Sequence, residues 1–243
     1  MKRSILIAVV AVLLSAAPAM ADPLGTLTAN EVGTSPALIL NIYGGAYSGG
    51  IQGYAGVYQV VVTNSLVPGL PNQLYNGFCI EMVTSNPGTS YPAVAMTLDE
   101  APVPVYGNPN AAPMGMARAN MIRELWGRDR ALVVDNTTAA AFQAAVWELV
   151  YERSAAFDVG SRNEADATNS FMVGGDKNDP NGVISIANGW LGQLDGTGPM
   201  NNGLVAITSQ TLQDYVVEVP APAAILLGMM GLGLVGWLKR RVG

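Results

Sequence analysis

The stretch Thr137-Thr138-Ala139-Ala140-Ala141-Phe142-Gln143-Ala144-Ala145-Val146-Trp147-Glu148-Leu149-Val150-Tyr151-Glu152-Arg153 decides the second half of the fold. Phe142, Val146, Leu149 and Val150 recur at helical spacing, and Thr137 or Thr138 is placed to cap a helix over 139–153. Outward from it, Met121, Ile122, Leu125 and Trp126 predict a helix over 116–126 closed by Gly127. Ile184, Ala187, Trp190, Leu191 and Leu194 predict a third over 183–194, with Asp179 as its cap and Pro180 in its first position. The first half reads differently. Segments 37–43, 56–63 and 74–83 are rich in Val, Ile, Leu and Tyr and are punctuated by Gly, Pro and Asn, as strands joined by turns are. Segments 205–207 and 215–219 read as closing strands. The glycine-rich piece 44–50 has no Lys-Ser/Thr after it, so it reads as a flexible connection rather than a phosphate loop. Four prolines make 101–114 extended or looped. The expectation is a single α+β domain, with a β-rich body, sandwich- or barrel-like, carrying about three helices.

Both ends of the 243-residue chain read as addresses. Lys2 and Arg3, an apolar run over 5–17 and the small residues Ala19 and Ala21 form a signal peptide over 1–21, cut by signal peptidase so that the mature chain begins at Asp22. The exported domain then runs over 22–218, roughly 200 residues and enough for one real core. At the other end, Val219-Pro220-Ala221-Pro222 leads into an apolar segment over 223–238 and a basic tail over 239–241. An apolar run followed by a basic stop is a membrane-insertion signal, with the basic end in the cytoplasm. The run is short and holds four glycines, which suits a temporary anchor.

Val-Pro-x-Pro, a short Gly/Leu-rich span and terminal arginines resemble the PEP-CTERM sorting signal, here over 219–243 with Ala221 where the commonest version has Glu. The resemblance implies export from a Gram-negative cell that makes exopolysaccharide. It also implies transient anchoring in the inner membrane and processing by an exosortase-type enzyme near the Pro-x-Pro motif, followed by display or release at the surface.

Composition removes several function classes. Five of the twelve basic residues sit in the terminal addresses, leaving seven against eighteen acidic ones, so the exported body is near −11 and unsuited to nucleic acid. The chain has no histidine and one cysteine, Cys79. A Ser-His-Asp triad, a Cys-His pair, an internal disulfide and the usual zinc sites are thereby excluded, and no turnover-enzyme signature, cofactor motif or metal motif is present. The segment 176–182 places Pro180 and Asn181 where a calcium loop wants an oxygen ligand and glycine, and reads as a turn. Glu148 and Glu152 read as a solvated helix edge, with Glu148 to Arg153 or Glu124 to Arg128 pairs.

What remains is Phe78-Cys79-Ile80-Glu81 on a strand and Phe142-Gln143 to Trp147 on a helix. A cysteine thiol held against a glutamine carboxamide in a dry pocket can displace ammonia and leave a thioester, with no histidine or metal. The two segments resemble the thioester domains of bacterial surface proteins, over a core of about 74–218. The resemblance implies that Cys79 and Gln143 are the bonded pair, supported by Phe78 and Glu81, with Trp147 one turn beyond Gln143 excluding water. It also implies covalent attachment to surface amines. The alternative is a non-covalent matrix protein that binds exopolysaccharide through exposed Tyr or Trp.

Overall fold

The computed structural model describes residues 23–44, 47–82, 84, 88–103, 112–152, 156–161, 170–174 and 182–219. The signal segment with Ala19 and Ala21, the motif residues Pro220, Ala221 and Pro222, the apolar segment 223–238 and the basic tail lie outside the described residues, as do Asp179 and Pro180. Among the described residues no helix is long and apolar enough to cross a membrane.

Seven strands and three helices follow in the order β1 (Gly25–Gly44), β2 (Tyr47–Thr63), β3 (Gln73–Cys79), β4 (Tyr91–Thr97), α1 (Met116–Asp129), α2 (Asn136–Tyr151), β5 (Phe171–Val173), α3 (Val183–Leu191), β6 (Leu204–Thr208) and β7 (Tyr215–Glu218). This is the β-rich α+β body with three helices that the sequence implies. All strand pairings are antiparallel, in the order β2-β3-β7-β6-β4-β1-β5 with β1 also paired to β2. The long β1 makes this possible. Its first residues pair with both β4 (Gly25↔Ala95) and β2 (Thr28↔Thr63), so six strands form a closed circuit of hydrogen bonds.

Helix α2 is the centre of the fold. Every residue from Ala139 to Tyr151 is buried, against β1, β2 and β3 on one side and α1 and α3 on others. A helix apolar on all faces can only be an interior one, and its five alanines let neighbours approach closely. Phe142 stacks on Phe78 of β3 at 4.5 Å between ring centroids and meets Trp126 of α1 and Trp190 of α3 edge-on. Phe78 therefore serves the core on the face of β3 opposite the Cys79 side chain.

Several local expectations are corrected. The cap of α2 is Asp135, whose side chain accepts from the Thr138 N–H while the Thr138 hydroxyl answers the Asp135 N–H; Thr137 and Thr138 lie inside the first turn. Gly127 does not end α1, which continues to Asp129; an added Cβ there would overlap the Pro199 carbonyl oxygen, so the glycine serves close packing. Helix α3 stops at Leu191 and begins after Gly182, which sits at its N-cap with left-handed backbone in place of Asp179. Glu148 and Glu152 are buried rather than solvated, because α2 has no exposed edge there. The Glu124 to Arg128 pair forms, at 2.7 Å. Gly49 and Gly50, expected in a flexible connection, belong to β2. The first half of β1, β4 and β5 were not foreseen as strands, and β3 ends at Cys79 rather than running on to 83.

Candidate functional site

Backbone N–H and C=O groups alternate in direction along a strand. At the end of β3 the Ile80 N–H bonds to Asp214 just before β7, so the Cys79 peptide groups point the other way, toward β2. The β2 ladder has already stopped at Gly77↔Tyr58. The Gln143 carboxamide takes its place. Cys79 N–H donates to Gln143 Oε1 and Gln143 Nε2 donates to the Cys79 carbonyl, both at 2.8 Å. Gln143 is fully buried, and Ala140, Ala144 and Trp147 share its face of α2, so the helix comes close enough for a side-chain amide to complete the sheet. The 64 positions between the two residues are thus closed by the fold, through the main chain of Cys79.

The thiol has different neighbours. Cys79 Sγ donates to the Glu81 carbonyl at 2.7 Å, and Gln213 Nε2 donates to Sγ at 3.0 Å. Gln213 stands two residues ahead of Tyr215, the register partner of Cys79 in β7, and its main-chain carbonyl accepts from the Tyr91 hydroxyl at 3.0 Å. Both ends of that residue are therefore held. The Tyr215 hydroxyl lies 3.0 Å from Gln213 Oε1 and 2.6 Å from Glu31 Oε2. It has one proton for two acceptors. Glu31 is fixed in turn by the Thr34 hydroxyl, 3.1 Å from Oε1.

The surroundings are largely buried and acidic. Burial pushes the Cys79 thiol well up, with the nearby Glu81 charge adding to it, against smaller opposing hydrogen bonds of which the Glu81 carbonyl makes the largest. The resting group is therefore the thiol. Burial also raises Tyr215, Tyr58 and Tyr91, with contributions from Cys79 and Glu31, and raises Asp214, with a contribution from Glu81. The Glu81 carboxylate accepts from the Thr84 N–H and from its hydroxyl, the latter at 2.7 Å. Trp147 is 2% exposed, and its indole N–H has no acceptor in hydrogen-bonding geometry although it lies near enough to Sγ to favour the thiolate. A cavity of about 250 Å³ opens beside these groups, bordered by Glu31, Glu81, Tyr54, Tyr58, Trp147 and Gln213.

Of the residues singled out in the sequence, Cys79, Gln143, Glu81 and Trp147 meet at one place, while Phe78 faces the core. Val219 packs against the core and donates its N–H to the Gly203 carbonyl at 2.8 Å, away from this site. Sequence reasoning missed Gln213, Tyr215 and Glu31. Gln213 lies in the short turn before β7, and the signal that finds it is the antiparallel register setting Tyr215 opposite Cys79. Among the described residues no three His, Cys, Asp or Glu side chains are arranged to hold a metal ion. Compared with protein-family models, curated proteins and solved structures, the chain has no match.

Proposed function

We propose that the protein is an exported surface or matrix protein that attaches covalently through an internal thioester, formed between Cys79 and Gln213 with Gln143 as the positioning residue. The observation that carries the reading is the 3.0 Å contact of Gln213 Nε2 with Cys79 Sγ, beside a carboxamide oxygen that already has the Tyr215 hydroxyl at 3.0 Å. Gln143 is the weaker acyl candidate because both halves of its amide are engaged by the Cys79 main chain.

The chemistry needs nothing from outside the chain. Sγ attacks Gln213 Cδ, the carbonyl oxygen gains charge against the Tyr215 hydroxyl, the C–N bond breaks, and the thiol proton leaves with the nitrogen as ammonia. The Trp147 indole N–H supplies a buried donor beside the sulfur. Closing six strands into a circuit supports a small barrel as the frame, and a closed circuit suits a protein exposed outside the cell because it leaves few free edges. Signal peptidase and an exosortase-type enzyme act on the chain during export, with the segment 223–238 as temporary membrane anchor. Surface amines are the partners, and neither nucleic acid nor a cofactor takes part.

The test is the intact mass of the mature protein beside a Cys79→Ala variant. The wild type is expected to lack the mass of one ammonia relative to its sequence, and the variant to have its full mass. A full-mass wild type with one titratable thiol overturns the reading. The variant is also the control for succinimide formation at Asn-Gly steps such as Asn76-Gly77 and Asn202-Gly203, which loses ammonia too.

A second reading, a non-covalent exopolysaccharide-binding matrix protein, is favoured by Tyr54, 57% exposed and paired across the β1–β2 hairpin with the exposed Ile39. Among the described residues Trp126, Trp147 and Trp190 are buried, which leaves that reading a narrow aromatic surface. Retention of the Cys79→Ala variant on exopolysaccharide as strong as that of the wild type favours it.

A further inference from the structure

We infer that the acidic cavity beside Gln213 is where the attacking nucleophile enters, and that Glu31 selects a cationic primary amine there and takes its proton. The inference rests on the thioester reading above and adds the residue that governs what the bond reacts with.

Four observations lead to it. The cavity borders Gln213, the residue that carries the acyl carbon. Its charged border groups are Glu31 and Glu81, with no lysine or arginine among the described residues that line it. Tyr54, Tyr58 and Trp147 are also among the lining residues, and aromatic side chains favour an ammonium over an anion. Of the two carboxylates, Glu81 is buried and engaged by Thr84, whereas Glu31 is only partly buried and is linked to the acyl oxygen through one hydroxyl. An ammonium entering the cavity therefore meets Glu31 as its accessible counter-charge.

The Tyr215 hydroxyl couples the proton to the chemistry. While Glu31 is ionised, its 2.6 Å contact competes with the Gln213 carbonyl oxygen for the Tyr215 proton. When Glu31 accepts a proton from the incoming ammonium, it can donate to the Tyr215 oxygen. The phenol proton is then free to turn to the Gln213 carbonyl oxygen, 3.0 Å away, where charge builds as the amine adds. The balance is complete. Of the three ammonium protons, one goes to Glu31 and on to water, one stays in the new amide, and one passes to the Cys79 sulfur as the C–S bond breaks.

The titratable groups facing Glu31 are Tyr58 from β2, Cys79 from β3, Tyr91 from β4 and Tyr215 from β7. Glu81 borders the same cavity. Burial keeps the four neutral, so they supply no negative charge to compete with Glu31 for an ammonium.

The experiment compares ring opening of the thioester by methylamine and by glycine, at equal concentration and pH, in the folded wild type and in Glu31→Gln. Glycine carries the same amino group with a carboxylate the cavity should repel, and has the larger share of free amine at a given pH. The wild type is expected to prefer methylamine by about tenfold or more, as like-charge exclusion from a cleft implies. Added salt should narrow that preference. Glu31→Gln should lose most of it. Equal rates for the two amines in the wild type, or a preference unchanged by salt and by Glu31→Gln, overturns the inference. Should Glu31→Gln fail to fold, the wild-type amine preference and its salt dependence decide. A wild type whose mass shows no loss of ammonia fails earlier, and removes the thioester reading and this inference together.

Discussion

The Gln143 carboxamide completes the β3 ladder at Cys79, giving and taking one hydrogen bond of 2.8 Å each on the Cys79 peptide. A side chain on a buried helix thus stands where the next residue of β2 would otherwise pair, and it fixes the main chain from which the thiol projects. Gln143→Ala leaves a buried N–H and C=O without these partners. Unpaired buried groups cost about 1–3 kcal/mol each, so a loss of about 2–6 kcal/mol is expected in urea unfolding. A change below about 0.5 kcal/mol would mean that water or another group replaces the clamp.

Glu148 is a buried carboxyl on α2 whose Oε1 accepts from the Asp158 N–H at 2.7 Å and whose Oε2 has no hydrogen-bond partner. Burial, followed by the nearby Glu152 and Asp158 charges, pushes it up from 4.5 to about 8. The folded state then holds a proton that the unfolded chain has lost between those two values, so this group makes the fold less stable as pH rises from about 4.5 to about 8. Glu148→Gln keeps an acceptor for Asp158 without the charge. Relative to wild type it is expected to gain stability with rising pH across that window, by up to a few kcal/mol, and to gain little near pH 4. Urea midpoints at several pH values check this, and a parallel pair of curves contradicts it.

Two helical glycines separate packing from propensity. Gly127 in α1 has no room for a Cβ against Pro199, whereas Gly189 in α3 faces open space. Gly127→Ala is expected to destabilise by about 1–3 kcal/mol through overpacking. Gly189→Ala is expected to stabilise by about 0.5–1 kcal/mol through helix propensity. Thermal unfolding of the two variants should move in opposite directions.

Gln213→Ala removes the acyl partner that touches the Cys79 sulfur at 3.0 Å, so its thiol is expected to stay free. One thiol per chain should titrate with a disulfide reagent in urea, where the wild type, its sulfur held in the bond, shows none. Equal thiol content in the two proteins would contradict the account.

The sequence made the helices legible because α1, α2 and α3 carry apolar residues at helical spacing, and the second half of β2, β3, β6 and β7 because apolar and aromatic residues there are bounded by turn residues. The first half of β1 was hidden, since its Thr, Asn, Glu and Gly residues look like a loop until the alternation of buried Leu27 and Ala29 is seen. In β4, Pro92 masks the strand. Glu148 and Glu152 misled because a charged pair one turn apart ordinarily marks a solvated face, and only the wrapping of α2 by sheet and helices shows otherwise. At the site, Cys79, Gln143, Glu81 and Trp147 were singled out by the resemblance of two short segments to thioester domains. Gln213, Tyr215 and Glu31 were not, because their meeting depends on the register of β7 and on the closure of β1 against the rest of the sheet.

The most direct test is to treat the folded wild-type protein with methylamine and map the adduct by peptide mass spectrometry. The account predicts one N-methylamide, at Gln213, appearing together with one free thiol at Cys79, and none in Cys79→Ala. An N-methylamide at Gln143 would make that residue the acyl partner, and the absence of any adduct from a full-mass protein would contradict the thioester itself.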